Sequence, residues 1–326
     1  MNKVFLSEHK LVAVTLFALV TAFLSIFTGS SGFIADDLET FRTIVFSIRI
    51  PRAILGFITG SSLAVSGMVF QTLFRNPMAT PYTLGVSSGA SLGAAISIII
   101  PSFFFLPDIV STPIFAFAGA LLSIAVIYSI MRIIREFDIT ILLLAGVAVS
   151  FTFSSLIMLA HYTADASQSY RIMHWLMGSL DTYGIKDILR TLPFFILVTA
   201  VTFIFSNELD MFGMSEEMAK SKGVDTKKVR FILFLTVSIS TGGIVSVTGP
   251  IGFVGMMAPH ICRLFTGWAH KKRIPITLVF GGGFLMFCDL LARVAAAPAE
   301  IPTGIITAIT GGPFFIWLLY RLKRLP

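Results

Sequence analysis

Two arginines three residues apart, in Arg49-Ile-Pro-Arg52, open a glycine-rich apolar stretch that stops at Phe74-Arg-Asn-Pro-Met78. Guanidinium groups so spaced suit bidentate capture of carboxylates or phosphates. The Asn76-Pro77 pair suits a turn that ends a helix. A second charged pair, Asp289 and Arg293, stands inside another apolar run. Ionisable groups are costly there, and the i,i+4 spacing predicts that the two neutralise each other. Metal chemistry has little to work with. His260 has no companion at ligand spacing, and Cys262 and Cys288, each in an apolar run, read as buried thiols. There is no H-E-x-x-H and no pair of acids placed for general acid–base work, so no catalytic residue and no metal ligand is assigned.

The elements that must position these groups are membrane helices. The chain of 326 residues is 56% hydrophobic and 13% charged, with a mean hydropathy of +0.90. A hydrocarbon core about 30 Å thick takes about 20 apolar residues per helix, and runs of that order recur throughout. The short alternating segments of a membrane β-barrel are absent. The expected fold class is all-α, a polytopic membrane protein forming a single domain over 1–326. Ten spans are expected at about 11–29, 52–74, 84–100, 113–133, 139–160, 189–206, 230–248, 252–268, 275–295 and 304–320. The first apolar run exceeds a signal-peptide core and reads as a retained helix. Two longer polar connections are expected at about 161–188 and 207–229.

With the N-terminus inside, 17 of the 24 Lys and Arg fall in inner segments; the seven outside are Arg42, Arg49, Arg52, Arg171, Lys186, Arg190 and Arg293. That bias places both termini in the cytoplasm. It also accounts for the formal net charge of +7 without a nucleic-acid partner. Proline-interrupted stretches, Gly249-Pro-Ile-Gly252 and Met257-Ala-Pro-His260, suggest broken helices whose freed backbone groups are buried or line a cavity.

Together these residues resemble the FecCD-type permeases, the membrane subunits of ABC importers for iron–siderophore, haem and vitamin B12. The likeness is carried by Arg49-Ile-Pro-Arg52, Phe74 to Pro81, Leu84-Gly-Val-Ser-Ser-Gly89, Leu144-Ala-Gly-Val147, Trp175-Leu-Met-Gly178, Gly249 to Gly255, Pro259-His260 with Arg263, and Glu300-Ile-Pro-Thr-Gly304. The resemblance implies a vitamin-B12-importer-type permease fold in a bacterial or archaeal plasma membrane. Its implied partners are a second permease, identical or paralogous, two cytoplasmic ATPases, an external substrate-binding protein and membrane lipid. No cofactor is expected on this chain. ATP and Mg belong to the ATPase, in keeping with the absence of any Gly-Lys dipeptide and hence of a phosphate-cradling loop.

The same resemblance implies roles for particular residues. Glu216, Glu217, Ala219 and Gly223 match the loop that couples such permeases to their ATPases, with Met218 in place of one alanine. Ala219 is small enough for a helix entering a cleft, and Gly223 permits a left-handed turn. Asn76, Pro77 and Met78, with Thr140 in the segment Asp138-Ile-Thr140, resemble the cytoplasmic gate. Arg49, Arg52 and Arg293 have two readings, lipid phosphate contact or reception of acidic residues from the binding protein. Within the family an iron–siderophore-type chelate is the expected cargo, with vitamin B12, haem or molybdate as alternatives. An ion-coupled secondary transporter, the reading from another class, would need intramembrane acids as relays.

Overall fold

The computed structural model describes residues 2–29, 38–100, 108–134, 139–267 and 269–322; Asp138 of the expected gate segment lies outside them. All regular structure among these residues is helical. The helices are α1 (Asn2–Phe27), α2 (Leu38–Thr43), α3 (Ile50–Phe74), α4 (Val86–Ile99), α5 (Asp108–Ile134), α6 (Ile139–Thr163) and α7 (Ala166–Leu176). They continue with α8 (Lys186–Ile204), α9 (Ser206–Met214), α10 (Glu216–Ser221), α11 (Thr226–Thr248), α12 (Val254–Thr266), α13 (His270–Val294) and α14 (Thr303–Leu322). Each expected span overlaps a helix, but the one expected at 252–268 meets only the 13-residue α12, which is not among the membrane-length or shorter apolar helices. Six helices among the described residues are long and apolar enough to cross a membrane, and Leu11–Phe27, Val86–Ile99 and Thr303–Trp317 are shorter apolar helices. The connections expected to be merely polar are more structured than that. The first contains α7, and the second contains α9 and α10.

Helix α3 is the axis of the bundle. A π-helical turn over Ile44–Arg49 joins it to α2, so the helical path from Glu39 to Phe74 runs for 36 residues. At 1.5 Å per residue that is about 54 Å, far beyond one hydrocarbon thickness. Its apolar window is 89% buried, against 28% for α5 and α6. It packs on α13, α12, α8 and α11. Small residues make this possible, since close approach of backbones is what binds helices in lipid. A Cβ on Gly60 would overlap the carbonyl oxygen of Gly281, and one on Gly67 would overlap that of Gly255.

The two proline-interrupted stretches differ. The chain does break between α11 and α12, where Gly249 and Phe253 have positive φ. The freed groups there find partners: Thr248 O accepts from Ser179 N at 2.9 Å, and Ile251 N donates to the Tyr82 hydroxyl at 3.1 Å. They border a cavity of 290 Å³ lined by Tyr82, Thr241, Ile251, Gly252 and Phe253 among others. At Pro259 the expectation of a break is corrected, because α12 runs through it. Proline removes the N–H that would bond to the carbonyl four residues back, which is Gly255 O. Gln71 on α3 donates to that oxygen at 3.3 Å and to Met256 O at 3.1 Å instead.

The close approach of α3 and α12 makes a sharp comparison. Gly67→Ala should destabilise the protein by about 1–3 kcal/mol or more through overpacking. Gly252→Ala, with nothing within 4 Å of an added Cβ, should be nearly neutral. Thermal unfolding of the detergent-solubilised variants checks the order.

Candidate functional site

The chain has two polar ends, joined by α3. At the first, Arg52 grips Asp289 from across the bundle. Its Nε lies 3.0 and 3.2 Å from the two carboxylate oxygens, and Nη2 lies 2.9 Å from Oδ1. Its Nη1 reaches Asp181 at 3.0 Å and Glu300 at 2.6 Å. The expected pair forms too, with Arg293 Nε 3.1 Å from Asp289 Oδ2. Thr303 donates its hydroxyl to Asp289 Oδ1 at 3.1 Å.

The other two arginines close the end of α1. The last carbonyls of any helix lack intrahelical donors. Arg49 Nη1 donates to Phe27 O at 3.0 Å. Arg293 donates through Nη1 to Ser25 O at 3.0 Å and through Nη2 to Ser25 Oγ at 2.5 Å. Here the picture of arginines standing open to a partner or to lipid phosphates changes. Arg49, Arg52 and Arg293 are 6%, 5% and 2% exposed, and Arg52 and Arg293 between them meet three carboxylates. What faces outward is acidic: the side chain of Asp181 is 56% exposed and that of Glu300 33%. Arg52 and Asp289 are far apart in sequence, which is why periodicity reveals only the i,i+4 half of the cluster. Glu300 stood in a recognised motif but without a role, and Asp181 had no sequence signal beyond lying shortly after Gly178.

At the opposite end of α3, Arg75 adopts a left-handed conformation with φ of 46°. The helix stops there, and Asn76 Oδ1 accepts from Met78 N at 2.9 Å. Pro77 and Met78 are exposed, as is Thr140 at the start of α6. Arg75 Nε donates to Phe212 O in the last turn of α9 at 3.1 Å.

Helix α10 begins at Ser215, whose hydroxyl accepts from Met218 N at 2.9 Å. Glu216 anchors it, with one oxygen 2.7 Å from Arg230 on α11 and the other 3.0 Å from Lys220. The hydrogen bond from Arg230 holds the Glu216 carboxyl below its ordinary range. Gly223 ends the segment with φ of +80°, the left-handed turn its type foreshadowed. Ala219 serves differently from expectation. It is fully buried within this chain, so its small size lets α10 lie against its own neighbours. The surface α10 presents is Glu217, Met218, Lys220, Ser221 and Lys222.

A groove of 560 Å³ opens along α4 and α6, lined by Ser87, Ser88, Ser91, Ser150 and Ser154 together with Tyr82, His161 and the apolar Ile157, Met158 and Leu176. Serine hydroxyls offer weak, rotatable hydrogen bonding without fixed charge. The serines of α3, Ser61, Ser62 and Ser66, are buried in packing. Among the described residues no group of three or more His, Cys, Asp or Glu is placed to hold a metal ion.

An all-helical bundle with several membrane-length helices is the architecture of a multi-pass membrane protein. The chain matches the FecCD transport family over residues 10–321. It is 39% identical over 282 residues to the cobalamin import system permease protein of Halobacterium salinarum, covering 86% of this chain and 74% of that one. It is 35% identical over 285 residues to the Fe(3+)-citrate import system permease protein of Bacillus subtilis, with 87% and 83% covered. A solved inward-facing transporter of metal-chelate type superposes with a TM-score of 0.86 at 28% identity, covering 96% of this chain and 99% of that one. The protein therefore belongs to the FecCD family and is a permease subunit of an ABC importer.

Two outcomes follow from the geometry. Removing one partner of a buried ion pair costs about 3–5 kcal/mol, so Asp289→Ala should lower the unfolding midpoint far more than Asp181→Ala, whose carboxylate is largely hydrated. Equal shifts would contradict the burial of the cluster. The depressed Glu216 carboxyl stabilises the folded state above the ordinary carboxylate value of about 4.3. That contribution is lost only as pH falls below it, through the lowered folded value. Hydrogen exchange of α10 should thus be flat, after correction for intrinsic rates, from about pH 5 to 8. In Glu216→Gln it should be faster throughout that window.

Proposed function

We propose that this chain is the membrane permease through which an iron–siderophore-type metal chelate enters a bacterial or archaeal cell across the plasma membrane. ATP hydrolysis is supplied by separate cytoplasmic subunits. The observation that carries the reading is family membership over almost the whole chain, together with an exposed, N-capped, left-handed-terminated helix α10 where a coupling element is expected. On the Lys/Arg bias, ten spans leave both termini and the Arg75 end of α3 in the cytoplasm, and the Arg52 end outside. The iron–citrate and cobalamin permeases above, and the hemin transport system permease protein of Yersinia pestis at 34% identity, support cargo that travels as a bulky metal complex. Weak, uncharged lining suits such cargo, since tight binding would block release. The groove of α4 and α6, with serines and apolar side chains over most of its wall and the His161 imidazole beside them, is of that kind, and a second permease facing it would complete a conduit.

Exposed α10 residues would seat in a cleft of the ATPase, and the Asn76-Pro77-Met78 turn with Thr140 would form the cytoplasmic gate. At the outer end, the acids of a binding protein could reach Arg52 only by competing with Asp181 and Glu300. The secondary-transporter alternative lacks its relay: Asp289 is 1% exposed and closed between two guanidiniums.

The test is uptake into proteoliposomes holding two permeases, the ATPase and the binding protein. A labelled ferric siderophore should accumulate with ATP, whereas cobalamin, hemin and molybdate should not. Met218→Trp adds bulk on α10 at a side chain that is 38% exposed, and normal abundance in the membrane shows that the fold tolerates it. A cost of about 1–3 kcal/mol at a fitted interface should cut uptake by about tenfold. Accumulation of cobalamin alone would transfer the assignment to that cargo, and normal uptake by Met218→Trp would sink the docking of α10.

A further inference from the structure

The Arg75 end contains a set of hydrogen bonds that converge on α9. This short helix lies between α8 and α10 with no slack on either side. Phe205 is the only residue between α8 and α9, and Ser215 is the only residue between α9 and α10. Ser215 does two jobs, since its N–H bonds back to Met211 O at 3.1 Å while its hydroxyl caps α10. A displacement of α10 therefore moves α9 directly.

From α9 two tethers run to the last turn of α3. The first is the Arg75 bond to Phe212 O at 3.1 Å. The second passes through the first residue of α13. Asp210 accepts from His270 N at 2.8 Å and from His270 Nδ1 at 2.6 Å. On the far side of the ring the Arg273 guanidinium donates to His270 Nε2 and to Thr72 Oγ1 at 3.3 Å, while the Thr72 hydroxyl gives its one proton to Met68 O at 2.9 Å, so Arg273 joins the ring to Thr72. A carboxylate only accepts and a guanidinium only donates. The imidazole between them is thus the neutral tautomer with its proton on Nδ1. The ring is 1% exposed, so it works as a rigid spacer with a fixed donor side and acceptor side. Phe212 also receives Arg230 over its ring at 5.5 Å, the same Arg230 that holds Glu216 of α10.

We infer that Arg75 and the Asp210–His270–Arg273–Thr72 chain form a linkage that makes the Asn76-Pro77-Met78 turn follow α10, so that they are positioning residues for coupled transport. This rests on the proposed docking of α10 to an ATPase. The logic is mechanical. Two bonded points, Thr72 and Arg75, lie at successive turns of α3 on either side of where its helix ends. Holding both fixes the direction of the terminal turn, whereas one would leave it free to pivot. Asp210 is partly exposed, but it satisfies the Nδ1–H of a ring at 1% exposure and the first N–H of α13, so its loss also costs stability and the transport ratio, not abundance, reads the linkage.

The test uses the complete transporter in proteoliposomes, reading ATPase content, ATP turnover and chelate moved per ATP. In Arg75→Ala/Asp210→Ala the ATPase should still co-purify and hydrolyse ATP, while chelate moved per ATP falls by at least about fivefold, the lower edge of a typical coupling between sites. Asp210→Asn keeps an oxygen that accepts from both His270 donors and should retain the wild-type ratio. An unchanged ratio in the double variant overturns the linkage, as does an equal loss in Asp210→Asn and Asp210→Ala. If the double variant fails to reach the membrane, Arg75→Ala alone decides, by a lowered ratio at normal abundance or an unchanged one. Normal uptake in Met218→Trp would instead remove the docking of α10 on which the linkage rests.

Discussion

A carboxylate at 1% exposure inside a helical bundle is costly to bury unless opposite charge and hydrogen bonds close over it. Asp289 is held that way, by Arg52 from α3 and Arg293 from its own helix. The pair fixes α3 against α13 at one end, and the glycine contacts at Gly60 and Gly281 continue the same seam along the helices. Because Arg293 and Arg49 also satisfy the terminal carbonyls of α1, three helices share one electrostatic knot. Exchanging a whole buried ion network for apolar residues is often neutral or stabilising, while breaking one member is severe. Such a knot is therefore poor value as a stability device. It makes better sense as a specificity device, with Asp181 and Glu300 left accessible at its rim.

The same central helix carries the other polar end, where it is terminated by an arginine in left-handed conformation and bonded twice to the α9 region. A helix about 89% buried over its apolar window moves with its neighbours rather than among them. Interfaces packed this tightly respond as discrete arrangements and not as soft gradients. On the proposed reading, α3 is the member common to the outer knot, the pathway wall and the inner turn.

Local signals in the sequence were reliable where the physics is local. Apolar run length located the helices, i,i+4 spacing predicted Asp289 with Arg293, and the glycine at 223 predicted a left-handed turn that is present with φ of +80°. The stop at Asn76-Pro77 lies where the dipeptide put it. Long-range complementarity was not legible. Nothing near Arg52 announces Asp181 or Glu300, and nothing near Asp210 announces His270 or Thr72. The small side chain at Ala219 is legible in the sequence, but its burial within this chain is not, since sequence cannot say which face of a six-residue helix is turned inward. Pro259 likewise signalled a lost hydrogen bond correctly, while the replacement donor, Gln71, came from a different helix.

The central claim is that the two polar ends of α3 lie on opposite sides of a membrane, with the acidic rim outside and α10 inside. Sidedness labelling tests this most directly. The native thiols Cys262 and Cys288 are buried, so single cysteines introduced at exposed positions can be read with little background. A membrane-impermeant maleimide should label Tyr183→Cys, beside Asp181, in intact cells, and should label Lys222→Cys on α10 only after permeabilisation. Labelling of both from the same side, or of Lys222→Cys alone in intact cells, would contradict the account.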